Sequence, residues 1–133
     1  MTPEAQSHLD RAADCLTKAR LDLGIAAQVS LKAEDAARNA YYAAFHAAKA
    51  FLFERTGKTH KTHGGVHKLF TQLAKVEPRV DPALRTFLAR AYDFKRIADY
   101  DIGAAHTITP AKATAAVVEA EQFVAAIRVQ LGS

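Results

Sequence analysis

The chain has 133 residues, a length that suits one domain with a single hydrophobic core. Half of its residues are hydrophobic and 24% are charged, with only six glycines and four prolines, which excludes a disordered or collagen-like chain. The formal net charge of +4 is compatible with a polyanionic partner such as RNA but does not require one. We therefore expect one globular domain over residues 1–133.

The sequence contains no apolar run of the length that crosses a bilayer, and its N-terminal segment lacks the apolar centre of a signal sequence. We therefore expect a cytoplasmic protein without a membrane partner. The single cysteine, Cys15, cannot form an intramolecular disulfide, and its amphipathic surroundings favour a small core residue over a nucleophile.

Three of the four prolines directly follow a residue that can cap a helix: Thr2-Pro3, Asp81-Pro82 and Thr109-Pro110. A capping side chain followed by proline at the first helical position is a typical helix start. Alanine, the best helix former, is abundant, and few segments alternate with period two. The sequence therefore predicts an all-α protein.

Five helices are predicted in chain order. Their ranges are about Pro3–Leu23, Leu31–Arg55, Val66–Val76, Pro82–Tyr100 and Pro110–Leu131. Gly24 and Gly57 mark the expected ends of the first two helices, and Ser30 is the expected cap of the second. Short connections between long helices predict an up-and-down four-helix bundle with an additional short helix.

The second helix carries two stripes of side chains. Tyr41 and Phe45 belong to an apolar stripe that we expect to face the core. Arg38, Tyr42 and His46 follow one another at four-residue spacing on an adjacent face of the same helix. Two interpretations remain open: boundary residues with buried rings and solvated polar tips, or side chains that converge on a site.

The helix that starts at Pro82 also carries a polar stripe, formed by Arg85, Tyr92, Arg96 and Asp99. Tyr100 follows four residues after Arg96. The three-residue spacing of Arg96 and Asp99 fits either a surface ion pair or two members of a functional site.

The loop between the second and third helices contains His60, His63 and His67. Histidines with this spacing are a weak metal signal here, because no cysteine or acidic residue lies in the loop. We expect no metal site and no cofactor. His63 is expected to begin or cap the short helix.

Four sequence segments occur in the order ARNAYYAAFHAAKAFL, GKTHKTHGGVHKLF, ARAYDFKRIADYD and EQFVAAI. In this order they resemble the small stand-alone HEPN proteins of prokaryotes, over nearly the whole chain. The most specific parts are Arg-x-x-Tyr-Tyr-Ala-x-x-His-Ala on the second helix, the Thr-His-Gly turn and Arg-x-x-Ala-Asp-Tyr on the fourth. The resemblance implies an α-helical bundle that is commonly dimeric and often encoded beside a minimal nucleotidyltransferase, as a toxin–antitoxin pair.

Many members of that family are metal-independent endoribonucleases. In these, an Arg-x4-6-His motif from two protomers promotes attack of the RNA 2′-hydroxyl on its own phosphate. This chain departs from the motif, because Arg96 is followed by Tyr100 and meets no histidine before His106. In some pairs a tyrosine in an Arg-x4-His-x-Tyr motif is adenylylated by the partner, and Tyr100 is the nearest candidate for that modification here.

The resemblance and the two polar stripes together predict a ribonuclease toxin. The predicted catalytic residues are Arg96, Asp99, Tyr100 and His46. The predicted binding residues are Arg38, Tyr42, His63 and Tyr92. We expect a homodimer with RNA or a nucleotide as ligand and a minimal nucleotidyltransferase as antitoxin. Two alternatives remain: a non-catalytic module that docks the nucleotidyltransferase or holds a nucleotide, and a purely structural bundle.

Overall fold

The computed structural model describes residues 1–77, 81–100 and 108–132, and within these ranges every regular element is a helix. The helices are α1 (Pro3–Ala26), α2 (Lys32–Thr56), α3 (His63–Lys75), α4 (Pro82–Tyr100) and α5 (Pro110–Gln130). This arrangement confirms the predicted all-α fold with four long helices and one short helix. None of the helices in these ranges combines the length and the apolar character that a bilayer span needs.

The helix starts predicted from a capping residue before proline are confirmed. Thr2 and Thr109 each accept a hydrogen bond of 3.2 Å at Oγ1 from the backbone N–H three residues further along. At the start of α4, Asp81 accepts one of 2.9 Å at Oδ1 from the N–H two residues further along. Each cap satisfies a backbone donor that the first turn leaves without an intrahelical partner.

Glycine ends one of the two helices as predicted. Gly57 adopts a left-handed conformation with φ of 70°, which ends α2 after Thr56. Gly24 instead stays inside α1, which continues to Ala26, because Gly24 does not adopt the positive φ that would end the helix. The predicted end of α1 at Leu23 is therefore one turn too early.

α2 is the central helix and contacts each of the other four. The backbone N–H of Thr2 donates a hydrogen bond to Oε2 of Glu54 at 2.9 Å, and Arg38 contacts Asp99. Both pairs join the start of one helix to the end of its neighbour, so α2 runs antiparallel to α1 and α4, as an up-and-down bundle requires. Small side chains let the neighbours approach α2 closely on all sides. Its buried alanines are Ala33, Ala36, Ala37, Ala40, Ala43, Ala44, Ala47, Ala48 and Ala50.

The core contains large side chains from every helix. Phe70 of α3 lies with its ring centre 5.6 Å from that of Phe51 on α2 and 5.5 Å from that of Phe123 on α5. The apolar stripe predicted on α2, which includes Tyr41 and Phe45, is buried as expected. Since Phe70 anchors α3 in the core, the first turns of α3 are held against α2 and α4.

Candidate functional site

The start of α3 places two histidines on one side of the helix. Oγ1 of Thr62 accepts a hydrogen bond of 3.0 Å from the backbone N–H of Gly65, so the helix begins at His63. This confirms that His63 begins the short helix, one turn before Val66, where the predicted range of that helix started. His67 follows four residues after His63 and therefore lies next to it along the helix.

Both histidines contact the hydroxyl of one buried tyrosine. Oη of Tyr41 lies 2.6 Å from Nδ1 of His63 and 3.0 Å from Nε2 of His67. A hydroxyl has one hydrogen, so Tyr41 donates to one ring and accepts an N–H bond from the other. Burial, followed by the neighbouring Tyr92 and Tyr42, raises the pKa of Tyr41 and keeps the hydroxyl protonated.

The ring of His63 lies in an aromatic pocket. Its centre is 4.5 Å from that of Phe45 and 5.5 Å from that of Tyr92, and both rings are stacked on it. Tyr42 lies 6.4 Å from His63 between ring centres. The structure therefore brings together three of the predicted binding residues, His63, Tyr42 and Tyr92.

Arg38, the fourth predicted binding residue, forms a network with the end of α4. Its Nε lies 2.7 Å from Oδ1 of Asp99, one terminal nitrogen lies 2.6 Å from Oδ1 of Asp35, and the other donates to the carbonyl of Ala98 at 3.1 Å. Nζ of Lys95 lies 2.6 Å from the other carboxylate oxygen of Asp99, Oδ2. Arg38 thus joins α2 to α4.

Lys95 also connects this network to the aromatic pocket. Its Nζ lies 6.0 Å from the ring centres of both Tyr42 and Tyr92, within the range of a cation–π contact. The hydrogen bond to Asp99 raises the pKa of Lys95, so its charge is retained at neutral pH. Although burial acts in the opposite direction, hydrogen bonds from Lys95 and Arg38 hold the pKa of Asp99 below its usual value.

The predicted catalytic residues of α4 are only partly in this site. The ion-pair partners of Asp99 are Arg38 and Lys95 rather than Arg96, which is exposed. Arg96 follows Tyr92 by four residues and lies one turn further along the same side of α4. Tyr100 is the last residue of α4, and its side chain and His106 lie outside the described residues, so their roles remain predictions.

His46, the predicted catalytic histidine, faces α1 instead of α4. Its ring centre is 6.5 Å from that of His8, and its Nδ1 is buried without a hydrogen-bond partner among the described residues. Burial, followed by Lys49, Arg11 and His8, lowers the pKa of His46 to about 4. Arg38 and His46 share a stripe of α2 but contact different helices.

The electrostatics of the pocket favour neutral histidines. Burial lowers the pKa of His63, with further contributions from Lys95 and Lys49. Burial also lowers the pKa of His67, and His63 adds to this effect. At pH 7 both rings are therefore neutral, and a neutral ring can accept a proton.

Sequence reasoning missed three parts of this site: the hydroxyl of Tyr41, which the periodicity assigned to the core, and the side chains of His67 and Lys95. The spacing of His67 four residues after His63, and of Lys95 four residues before Asp99, is the signal that could have identified them. The hydroxyl of Tyr41 had no comparable signal. In the described residues no three His, Cys, Asp or Glu side chains form a group that could hold a metal ion.

Comparison with known proteins gives the family. The model of the HEPN domain matches residues 5–130. A protein of Methanocaldococcus jannaschii named "Putative toxin MJ0605" is 33% identical over 94 residues, which are 71% of this chain and 67% of that protein. The motif order, the helical fold and the domain match agree, and the chain belongs to the HEPN-domain family.

Proposed function

We propose that this HEPN protein is the toxin of a toxin–antitoxin pair and cleaves RNA without a metal ion. The observation that carries the proposal is the pair of histidines bound to the Tyr41 hydroxyl beside the cation of Lys95. Metal-free cleavage of RNA needs a group that exchanges protons near neutral pH and a cation that stabilises charge on the phosphate. Both lie within one pocket between α2, α3 and α4.

We assign His63 as the general base. When its Nδ1–H donates to Tyr41 and the Tyr41 hydroxyl donates to His67, Nε2 of His63 carries a free lone pair. His63 is partly exposed and neutral at pH 7, so this nitrogen can take the proton of an RNA 2′-hydroxyl. The 2′-oxygen then bonds to the adjacent phosphorus, the bond from phosphorus to the 5′-oxygen breaks, and the leaving oxygen takes up a proton.

The proton for the leaving oxygen comes from the same ring. After Nε2 of His63 has taken the 2′-hydroxyl proton, the ring is a cation with a hydrogen on both nitrogens, and its Nε2–H can donate to the 5′-oxygen as the bond from phosphorus breaks. Nδ1–H of His63 donates to the Tyr41 hydroxyl before and after this proton transfer, so Tyr41 supports both forms of His63. We assign the contacts with the phosphate to Lys95 and the exposed Arg96, which lie on the turns of α4 that follow Tyr92.

The name of the Methanocaldococcus relative supports the toxin part of the proposal. We further propose that the protein forms a homodimer, that a minimal nucleotidyltransferase is its antitoxin, and that Tyr100 is the residue the partner modifies. Expression of the chain alone should arrest growth and degrade cellular RNA, and expression together with the nucleotidyltransferase should relieve both effects.

The first test of the catalytic assignment compares single histidine variants. Purified protein in excess chelator should cleave a synthetic RNA to products with 2′,3′-cyclic phosphate and 5′-hydroxyl ends. His63→Ala should lower the rate at least about 100-fold, the usual contribution of a general acid–base group. The matched control is His60→Ala, which removes a histidine from the adjacent loop and should cleave at the wild-type rate.

Two results would contradict this assignment. If His63→Ala cleaves like wild type while His46→Ala is inactive, His46 is the catalytic histidine and the pocket around Tyr41 is structural. If cleavage survives both changes in highly purified samples, the protein is not the ribonuclease.

A further inference from the structure

A polar groove lies between α1 and α2, next to the pocket that contains His63. Its volume is about 360 Å³, within the range typical of sites for small ligands. We call it the α1–α2 groove. Its lining residues are Arg11, Asp14, Cys15, Lys18, Asn39, Tyr42 and His46.

The α1–α2 groove has an excess of positive charge. Arg11 and Lys18 are exposed, and neither forms an ion pair with a carboxylate in the described part of the chain. Asp14 is the one acidic residue among the lining side chains. Charge repulsion from Arg11 adds to burial in lowering the pKa values of His46 and Lys49. Arg11 and Lys49 are therefore near enough to His46 to act on its ring.

One residue of the lining has a ring nitrogen without a hydrogen-bond partner. His46 lines the groove, and its Nδ1 is buried and makes no hydrogen bond to any described residue. Buried polar atoms in folded proteins nearly always have a partner, and a neutral imidazole can carry its hydrogen on this nitrogen. Concave shape, excess cations and an unpaired donor are three independent features that fit an anion.

We propose that the α1–α2 groove binds a phosphate group, carried by a free nucleotide or by the backbone of RNA. Arg11 and Lys18 neutralise the phosphate, and His46 donates a hydrogen bond to it. This binding involves neither the Tyr41 hydroxyl nor His63, so it does not depend on the proposed cleavage reaction. The proposal also gives His46, which packs against α1, the role of a hydrogen-bond donor to the phosphate.

Cys15 is the single cysteine of the chain and lies in the groove, so its alkylation reports occupancy directly. We would measure its reaction rate with a neutral maleimide at low ionic strength, where phosphate contacts are strongest. The ligands are inorganic phosphate, AMP and a 2′-O-methyl RNA oligonucleotide that cannot be cleaved. We expect at least a threefold slower reaction with AMP or with the oligonucleotide, and the effective one identifies the source of the phosphate.

The double variant Arg11→Gln/Lys18→Gln should lose this protection. The matched control Lys68→Gln/Lys75→Gln removes the same charge from exposed positions of α3 and should keep it. Each rate is compared with that of the same variant without ligand, since Lys18 and Arg11 also act on the pKa of Cys15, which burial raises.

His46→Phe keeps an aromatic ring in place and removes the donor, and it should weaken protection while leaving the cations intact. The proposal is wrong if none of the three ligands slows alkylation of Cys15, or if the Arg11→Gln/Lys18→Gln variant is protected as well as wild type. Either result leaves the cleavage assay of His63 variants unaffected, so the two proposals fail separately.

Discussion

Tyr41 belongs to the core and to the candidate site at the same time. Its side chain is fully buried, as the apolar periodicity of α2 predicts, yet its hydroxyl holds two histidines of α3. A buried hydroxyl costs free energy unless it is hydrogen-bonded, and here both of its bonds reach another helix. The phenol therefore fixes the position of the histidines relative to α2.

Tyr41→Phe tests this role. The change removes the hydroxyl and leaves ring nitrogens of His63 and His67 without their partner, so we expect a loss of about 1–3 kcal/mol of unfolding free energy. The measurement is equilibrium unfolding in urea at pH 7.5. The adjacent Tyr42→Phe is the matched control, because the Tyr42 hydroxyl makes no hydrogen bond in the described part of the chain. The unfolding free energy of the Tyr42→Phe variant should change by less than about 0.5 kcal/mol. Equal losses in the two variants would show that the hydroxyl of Tyr41 contributes nothing specific.

At the scale of one element, the first turn of α3 forms although its residues disfavour a helix. Two consecutive glycines, Gly64 and Gly65, occupy its first turn, and glycine disfavours helix. The Thr62 cap outweighs this preference. A Cβ atom on Gly65 would lie 2.7 Å from Oγ1 of Thr62, whereas one on Gly64 would have no atom within 4 Å.

The two glycines therefore form a matched pair for mutagenesis. Gly64→Ala should raise the unfolding free energy by up to about 1 kcal/mol, because alanine favours helix and the space is open. Gly65→Ala should lower it by about 1 kcal/mol, because the new Cβ displaces the capping hydroxyl. Urea unfolding measures both changes, and the idea that the cap positions α3 would fail if both variants were stabilised alike.

Most helix boundaries were predictable because their signals are local. Thr109 caps α5 and Gly57 ends α2 through contacts within a few residues. The spacing of Arg38 and His46 could not predict which neighbouring helix each of them contacts. Arg38 and His46 lie on one side of α2 but two turns apart, and over that distance the neighbouring helix changes from α4 to α1. Only the packing of whole helices decides which residues meet.

At the scale of the whole molecule, burial keeps four histidines of the described ranges neutral. His8, His46, His63 and His67 all have pKa values below the ordinary value, and burial is the first cause for each. Each neighbouring cation adds to the effect. A histidine with a lowered pKa binds fewer protons in the folded state than in the unfolded state over the same pH range.

Stability should therefore fall on mild acidification. Above about pH 6.5 these rings are neutral in both states and contribute no pH dependence. As the pH falls below about 6.5, the unfolded chain takes up protons that the folded protein resists, so unfolding becomes more favourable. For His46 this loss continues down to its folded pKa of about 4. Asp99 lowers the unfolding free energy at still lower pH, because its pKa is below the usual value and protonation of its carboxylate removes its ion pairs.

His46→Phe isolates the largest of these contributions. We expect wild type to lose of the order of 2 kcal/mol more unfolding free energy than His46→Phe between pH 7.5 and about pH 4.5, after allowance for solvent screening of a ring that is only partly buried. Urea unfolding at half-unit pH steps gives both curves, and their difference should be flat above about pH 6.5 and grow below it. Parallel curves over the whole range would mean that His46 titrates alike in the folded and unfolded states, and that Arg11 and Lys49 do not create the positive potential inferred for the α1–α2 groove.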